Sequence, residues 1–331
     1  MRSSFTLLAG VCVVLLSGCP PQKGAGGPGG GSRIDPGACG DLSTDKVTRK
    51  LHAFLAASAD LDRATAELET SVHDACVRMA VELGVATDGD TRTVCKRATD
   101  ELQANLQVSV SQEQRLVTRY VPPVCTSQIE FTAGLVAECE ASAAADVSVR
   151  CEGTCSGTCN GACAGSCAST GGDGQCAGAC NGTCYVTCSG SCAGYASVDA
   201  SVECRASAEI QTSVHTECTE PQVEVVSETV TVVDDSKFQR ATAAIKAGMP
   251  TLLKVGARAE LVGKALVNWV ATGAGLVKSS GQLIGNLGER GVCVAGQLAA
   301  TVAAAAQIEA RIEVSIEVSA SVQASAGGQA R

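Results

Sequence analysis

Ten cysteines at a fixed four-residue step constrain this chain more than any other feature. Cys151, Cys155, Cys159, Cys163 and Cys167 form one array, and Cys176, Cys180, Cys184, Cys188 and Cys192 form a second. Glycine stands midway between most neighbours, with Val186 the exception. The two arrays mirror each other about Ser169-Thr170-Gly171-Gly172-Asp173-Gly174, a run of small residues suited to a hairpin tip. The same centre also sets Cys139 opposite Cys204 and Cys125 opposite Cys218, although these four lie outside the arrays and need not have matched. One antiparallel register therefore brings seven pairs together: Cys167–Cys176, Cys163–Cys180, Cys159–Cys184, Cys155–Cys188, Cys151–Cys192, Cys139–Cys204 and Cys125–Cys218.

The flanking arms alternate in phase with that register. Ile129, Phe131, Ala133, Leu135, Ala137 and Cys139 fall opposite Val214, Thr212, Ile210, Ala208, Ala206 and Cys204, while Glu138 and Glu140 share the other face with Arg205 and Glu203. Period-two alternation predicts two long strands. Cross-strand bridges fit best at non-hydrogen-bonded pairs, where side chains approach closely, and that class is expected here. At about 3.3 Å per residue a straight arm of this length would exceed ~100 Å. Two alternatives stay open. Cysteines at i and i+4 also stack on a helix, against which the repeated glycines argue, and local bridges could form a compact knot or solenoid. The tip half buries little apolar surface, so it is expected to be the least stable part once reduced.

The amino terminus reads as an export signal. Arg2 supplies a positive start, and Phe5 to Leu16 is apolar apart from Thr6 and Gly10. Leu16-Ser17-Gly18-Cys19 is similar to the bacterial lipoprotein box, and that resemblance implies cleavage before Cys19 and a diacylglycerol on its sulfur. Pro20 to Ser32 is Gly/Pro-rich, a tether with no side chains to pack. Eighteen cysteines remain after Cys12 and Cys19, an even number that fits nine bridges in an oxidising space. Pro20 is not an inner-membrane Asp signal, so the outer membrane is the default expectation. No second membrane span is expected: the best candidate, 251–276, is broken by Lys254, Arg258, Glu260 and Lys264.

Elsewhere the three- and four-residue spacing of Val47, Leu51, Phe54, Leu55, Leu61, Leu68, Val72 and Met79 predicts a long helix over 44–84, followed by a second at 91–105. Packed antiparallel, they set Cys76 near Cys95. By elimination Cys39 meets Cys293. Residues 106–121 turn strand-like before Pro122-Pro123. Residues 222–233 read as a strand with a bulge at Val225-Val226. Helices are expected at 236–247, at 250–284 with Pro250 in its first turn, and at 291–306. The last segment alternates Ile308, Ala310, Ile312, Val314, Ile316 and Val318 with Glu309, Arg311, Glu313, Ser315, Glu317 and Ser319, the pattern of a long strand.

With its box at Cys19, its helix pair, the repeats from Cys151 to Cys192 and the 308–322 alternation, the chain resembles a family of cysteine-rich lipoproteins associated with gliding soil bacteria (myxobacteria). Tyr185-Val186 and the 168–175 gap depart from a uniform repeat. The resemblance implies location and architecture but no activity. The expected fold class is α+β, a helical bundle beside a long antiparallel hairpin stapled by disulfides. The expected segments are 1–18 (signal), 19–38 (lipidated Cys and linker), 39–121 (helical, with one strand), 122–221 (Cys-rich hairpin) and 222–331 (strand, helices and terminal strand).

Composition narrows the chemistry. Apolar residues make up 45% but aromatics only 2%, and the net charge is -9. A nucleic-acid surface would need basic and aromatic side chains that this chain lacks. Of three histidines, His52 and His73 fall on the first helix and His215 on the hairpin's polar face, with no convergent Ser–His–carboxylate set. A thiolate metal cluster favours closer Cys spacing and reducing surroundings. Gly172-Asp173-Gly174 offers calcium a single carboxylate. Thr154, Thr158, Thr183 and Thr187 form a regular small-polar series, to be weighed as a glycan- or ice-binding face and as a solvated surface. The expectation is a non-catalytic envelope lipoprotein with a structural, surface or adhesive role, held to a membrane by its lipid, with no cofactor and an unidentified envelope protein or glycan as partner. A metal- or ligand-binding module built on the repeats is the alternative.

Overall fold

The computed structural model describes residues 34–42, 46–109, 117–171, 174–176, 178–184, 187–226, 234–326 and 328–330. Cys19, the signal and the tether lie outside them, as do Gly172-Asp173 at the tip and residues 227–233. The elements run α1 (Lys46–Leu83), α2 (Thr91–Ser109), β1 (Val117–Val121), β2 (Cys125–Gln128), α3 (Ile129–Glu140), β3 (Val149–Ser156), β4 (Cys159–Asn160) and β5 (Cys163–Cys167). After the tip come β6 (Cys180–Cys184), β7 (Thr187–Cys188), β8 (Ser191–Val198), α4 (Val202–Val214), β9 (Glu217–Cys218), β10 (Gln222–Val226), α5 (Asp235–Leu287), α6 (Glu289–Ser325) and β11 (Gly328–Ala330). The fold is α+β, with most helix in a bundle and nine disulfides.

The bundle joins both ends of the chain. α1, α5 and α6 pack along one another around Leu51, Phe54, Leu61, Leu252, Trp269, Val294 and Ile312. The Trp269 indole donates to Ser58 Oγ (2.8 Å), and Ser58 donates to the Phe54 carbonyl (2.7 Å). Buried hydroxyls of this kind are tolerated because each finds a carbonyl. Arg311 of α6, itself 18% exposed, reaches Asp62 (2.8 Å) and Glu69 (3.5 Å) of α1. Cys39–Cys293 ties the first described residues to α6, and Cys76–Cys95 ties α1 to α2.

Pro250 does not start a helix. α5 runs through it, from Asp235 to Leu287. Proline removes one backbone donor and crowds the preceding turn. Arg78 of α1 braces that turn, donating to the Ala247 carbonyl (3.1 Å) and to Thr251 Oγ1 (2.9 Å).

The segment 308–322 is helix, not strand. Ile308, Ile312, Ser315, Ser319 and Val322 are buried at steps of four, three, four and three, a helical face hidden inside the alternation. Its serines serve as small interior residues, because Ser315 donates to the Arg311 carbonyl and Ser319 to the Leu252 carbonyl (both 2.8 Å). Glu309, Ala310, Glu313, Glu317 and Ala320, all good helix formers, take five of the other positions. Among the described residues, α6 is the helix whose length and composition would let it cross a membrane (mean hydropathy 1.5 over its best window), rather than 251–276.

The arms flanking the cysteine arrays stay extended next to the arrays, in β3 and β8, but turn helical farther out, in α3 and α4. α3 buries Ile129, Thr132, Val136 and Cys139, again at helical steps, and leaves Phe131 exposed. α4 lies against α1, α3 and α5 and buries residues nearly all round. Cys139–Cys204 therefore joins two helices rather than two strands. The two uninterrupted long strands expected over the arms do not form. Residues 106–109 extend α2, and β1 pairs with β10 without a skipped residue, so no bulge falls at Val225-Val226.

Candidate functional site

The cysteine-rich region is a hairpin wound upon itself. β3 lies between β8 and β6: Cys155 stands opposite Cys192 on one flank and Cys180 on the other. Cys180 also stands opposite Cys167 of β5. The chain thus leaves β3, passes through β4 and returns in β5 to the same sheet, with one strand between. β4 and β7 pair separately, with Cys159 opposite Cys188. One turn of the ribbon is a step of twelve positions, from Cys155 to Cys167.

This winding changes the sense of the disulfides. Directly opposed cysteines on the backbone ladder are not the bonded ones. Cys155 bonds Cys188, Cys159 bonds Cys184 and Cys163 bonds Cys180. Cys151–Cys192 and Cys167–Cys176 complete the set. The Cα–Cα separations of the five bridges run from 5.6 to 6.2 Å, within the span a disulfide closes. Of the seven pairs about the tip, Cys125–Cys218 is bonded across a directly opposed position. The sulfurs point inward. Cys151, Cys155, Cys159, Cys180, Cys184 and Cys192 are fully buried, and they form a core of their own with Val149, Ala196 and Val198.

The glycines follow from the same geometry. Gly153 has φ +142 and Gly182 has φ +144, conformations that side-chain-bearing residues rarely adopt. A Cβ on Gly153 would overlap the Ala193 carbonyl oxygen, and one on Gly182 the Ala164 carbonyl oxygen. Cysteine inside and glycine midway are therefore two halves of one requirement: sulfur fills the interior, and the bare backbone lets the strands close on it.

The four threonines do not share one face. Thr154 and Thr183 lie in the β6–β3 sheet, Thr187 belongs to β7 and Thr158 precedes β4. Thr154 Oγ1 donates to Asn181 Oδ1 at 3.2 Å, while Thr187 and Ser148 exchange a bond of 3.5 Å. The histidines stay apart. His52 and His73 are half-buried at well-separated points of α1. His215 caps α4 with Nδ1 against the Gln211 carbonyl (2.8 Å) and its ring on Phe131, not on a hairpin face. Among the described residues all eighteen cysteines are in disulfides, and no cluster of His, Cys, Asp and Glu is arranged to hold a metal. Disulfide sulfur offers no thiolate to a metal.

A second cluster sits where the ribbon meets the bundle. Glu209 of α4 is fully buried. It accepts from Asn268 Nδ2 of α5 (2.7 Å) and from the Val198 amide at the end of β8 (3.4 Å). Burial pushes its carboxyl above the ordinary carboxylate range, although Asn268, the neighbouring Tyr195 and the Val198 amide oppose the shift. Tyr195 is pushed up in turn, first by burial and then by the Glu209 charge. Nearby, burial pushes the Glu140 carboxyl up, but the Lys50 ammonium (2.6 Å) and the Ser201 amide (2.8 Å) outweigh it and hold it below the usual value. An open cleft of about 440 Å³ lies between the first turn of α4 and α5, lined by Val202, Arg205, Asn268, Thr272 and Leu276. Asn268 is held by Glu209, Thr272 donates to the Val202 carbonyl and Arg205 to the Ala200 carbonyl, so these groups are turned toward the protein. None of these residues stands out in the sequence, because Tyr195, Glu209 and Asn268 come from three separate elements, β8, α4 and α5.

Nine disulfides mark a chain that folds in an oxidising compartment outside the reducing cytoplasm. No protein-family profile, no curated protein and no solved structure matches it.

Proposed function

We propose that this chain is an exported lipoprotein of the cell envelope, anchored through Cys19, in which the wound ribbon is a rigid, non-catalytic structural or adhesive element. The observation that carries the reading is the ribbon's cystine interior. A fold that uses ten cysteines to stiffen one hairpin, with no free thiol among the described residues, suits mechanical persistence more than redox or metal chemistry. The lipoprotein-like box at Leu16-Ser17-Gly18-Cys19 and the tether to Ser32 supply the membrane link. The order of segments, similar to that of cysteine-rich envelope lipoproteins, supports the same reading, with an outer-membrane location as its default.

Replacement of residues 1–19 by a leader that is cleaved without lipidation tests the anchor. The native chain is expected in the membrane fraction, with the mass of an acylated Cys19 peptide. The chain released without Cys19 is expected in the soluble fraction, equally free of titratable thiols. If that chain stays with membranes, the anchor is overturned. Titratable thiols with stoichiometric zinc would overturn the rigid ribbon in favour of a metal-binding module.

A further inference from the structure

The wound ribbon ends in an open edge. The sheet order is β5-β6-β3-β8-β2-β9, so β5 pairs with β6 on one flank only. Inside the ribbon, β6 lies against β3, an antiparallel joint between successive turns rather than between the two arms of one turn. The coil is thus built by edge-to-edge stacking. Among the described residues, β5 is the turn on which no further strand stacks.

The sequence does nothing to close that edge. Exposed edge strands are usually blunted by charge, proline or a bulge. Between Gly153 and Val198 the sole charged residue is Asp173, and there is no proline. Ala164, Gly165 and Ser166 are exposed. β5 is also symmetric about its centre, with Cys163 and Cys167 each two residues from Gly165.

We propose that β5 is the contact through which a second copy of this chain pairs, edge to edge and antiparallel, about a two-fold axis at Gly165. The row of glycines Gly165, Gly182, Gly153 and Gly194 crosses four strands without interruption. The axis extends that row into the second chain, with Gly165 facing its own symmetry mate and Cys163 level with Cys167. The new joint repeats the β6–β3 joint already present inside each ribbon. Two five-residue strands make a small contact, of the class under about 1,200 Å² that gives weak, reversible association. Chains crowded on a membrane would be held at the high local concentration such a contact needs. The pairing does not rest on the lipid anchor, and its test is made without it.

The experiment uses the full mature chain from Pro20, exported behind a leader that is cleaved without lipidation and followed by sedimentation to about 1 mM, the concentration range in which weak contacts populate. A monomer–dimer equilibrium is expected. Ser166→Lys and Ala164→Lys, each at an exposed edge position, are expected to weaken it about tenfold or more. Thr154→Lys is exposed on the same sheet but on a strand paired on both flanks, and should leave it unchanged. A benzoylphenylalanine at position 164 should cross-link to residues 163–167 of the other chain. A disulfide map identical to that of the native chain, with no free thiols, confirms that each variant is folded. A monomer at every concentration overturns the proposal, as does a dimer indifferent to both edge lysines or one equally weakened by Thr154→Lys.

Discussion

In the bundle the fully buried side chains are Phe54, Leu61, Leu252, Ile245 and Trp269; in the ribbon they are cysteines, joined in pairs. The bundle is held by apolar area withdrawn from water, a force spread over many small contacts. The ribbon has little such area, since Gly, Ser, Thr and Asn make up most of what is not cysteine. Its interior is covalent. One chain therefore carries two cores that answer to different perturbations.

Reduction should separate them most sharply. Removing a native disulfide typically costs about 2–5 kcal/mol, and five bridges serve a region with little else to hold it. Under a strong reductant without denaturant, the ribbon amides 149–198 are expected to lose hydrogen-exchange protection while α1, α5 and α6 keep theirs. Loss of both regions together would show that the two cores are one.

Point substitutions should separate them in the opposite chemical sense. Leu252→Ala removes atoms from a fully buried site in the bundle and should cost about 2–5 kcal/mol in thermal or denaturant unfolding. Gly153→Ala adds a single methyl to the ribbon. The backbone conformation alone makes that cost about 1–3 kcal/mol, and the overlap with the Ala193 carbonyl adds to it. The expected readout is mispaired or free thiols in the ribbon with the bundle's unfolding unchanged. A freely tolerated Gly153→Ala would mean that the strands do not close on the sulfurs as described.

The same contrast explains what could be read in advance. The seven cysteine pairs about the tip follow from their mirror spacing, because a covalent partner must lie at one place. Their backbone register does not, because Cys155 can face Cys192 on the ladder and bond Cys188 across the interior. α1 was legible from its Leu and Val spacing. α3 and α6 were not, because Ala, Ser and Thr fit either period and the alternation of Ile308 to Val318 also contains a helical face. What decided between them was the surface each helix meets: Ser319 is useful inside only because the Leu252 carbonyl is there to accept from it. The Glu209 cluster lay beyond sequence for the same reason, since its members meet only through tertiary packing.

The smallest expected effect lies at the joint between the two cores. Glu209 faces Tyr195 and the Val198 amide from β8 and Asn268 from α5, with Arg205 on its own helix and Glu152 of β3 acting on Tyr195. Its folded carboxyl holds a proton to higher pH than the same carboxyl in an unfolded chain. The stability this contributes is complete below the unfolded value and is lost as pH rises through the folded one. Glu140, Asp90 and Asp234 are shifted the other way, so they contribute stability at neutral pH that is lost on acidification. The whole chain mixes both signs, and only a difference isolates one group. Glu209→Gln keeps the shape and a hydrogen-bonding oxygen but cannot ionise. Denaturant midpoints of the native chain minus those of Glu209→Gln, taken from acid to neutral pH, should fall as pH rises and then level off. A flat difference would mean that the carboxyl at this joint ionises as freely as in the unfolded chain, and that the seam between sulfur and hydrocarbon is wetter than its burial implies.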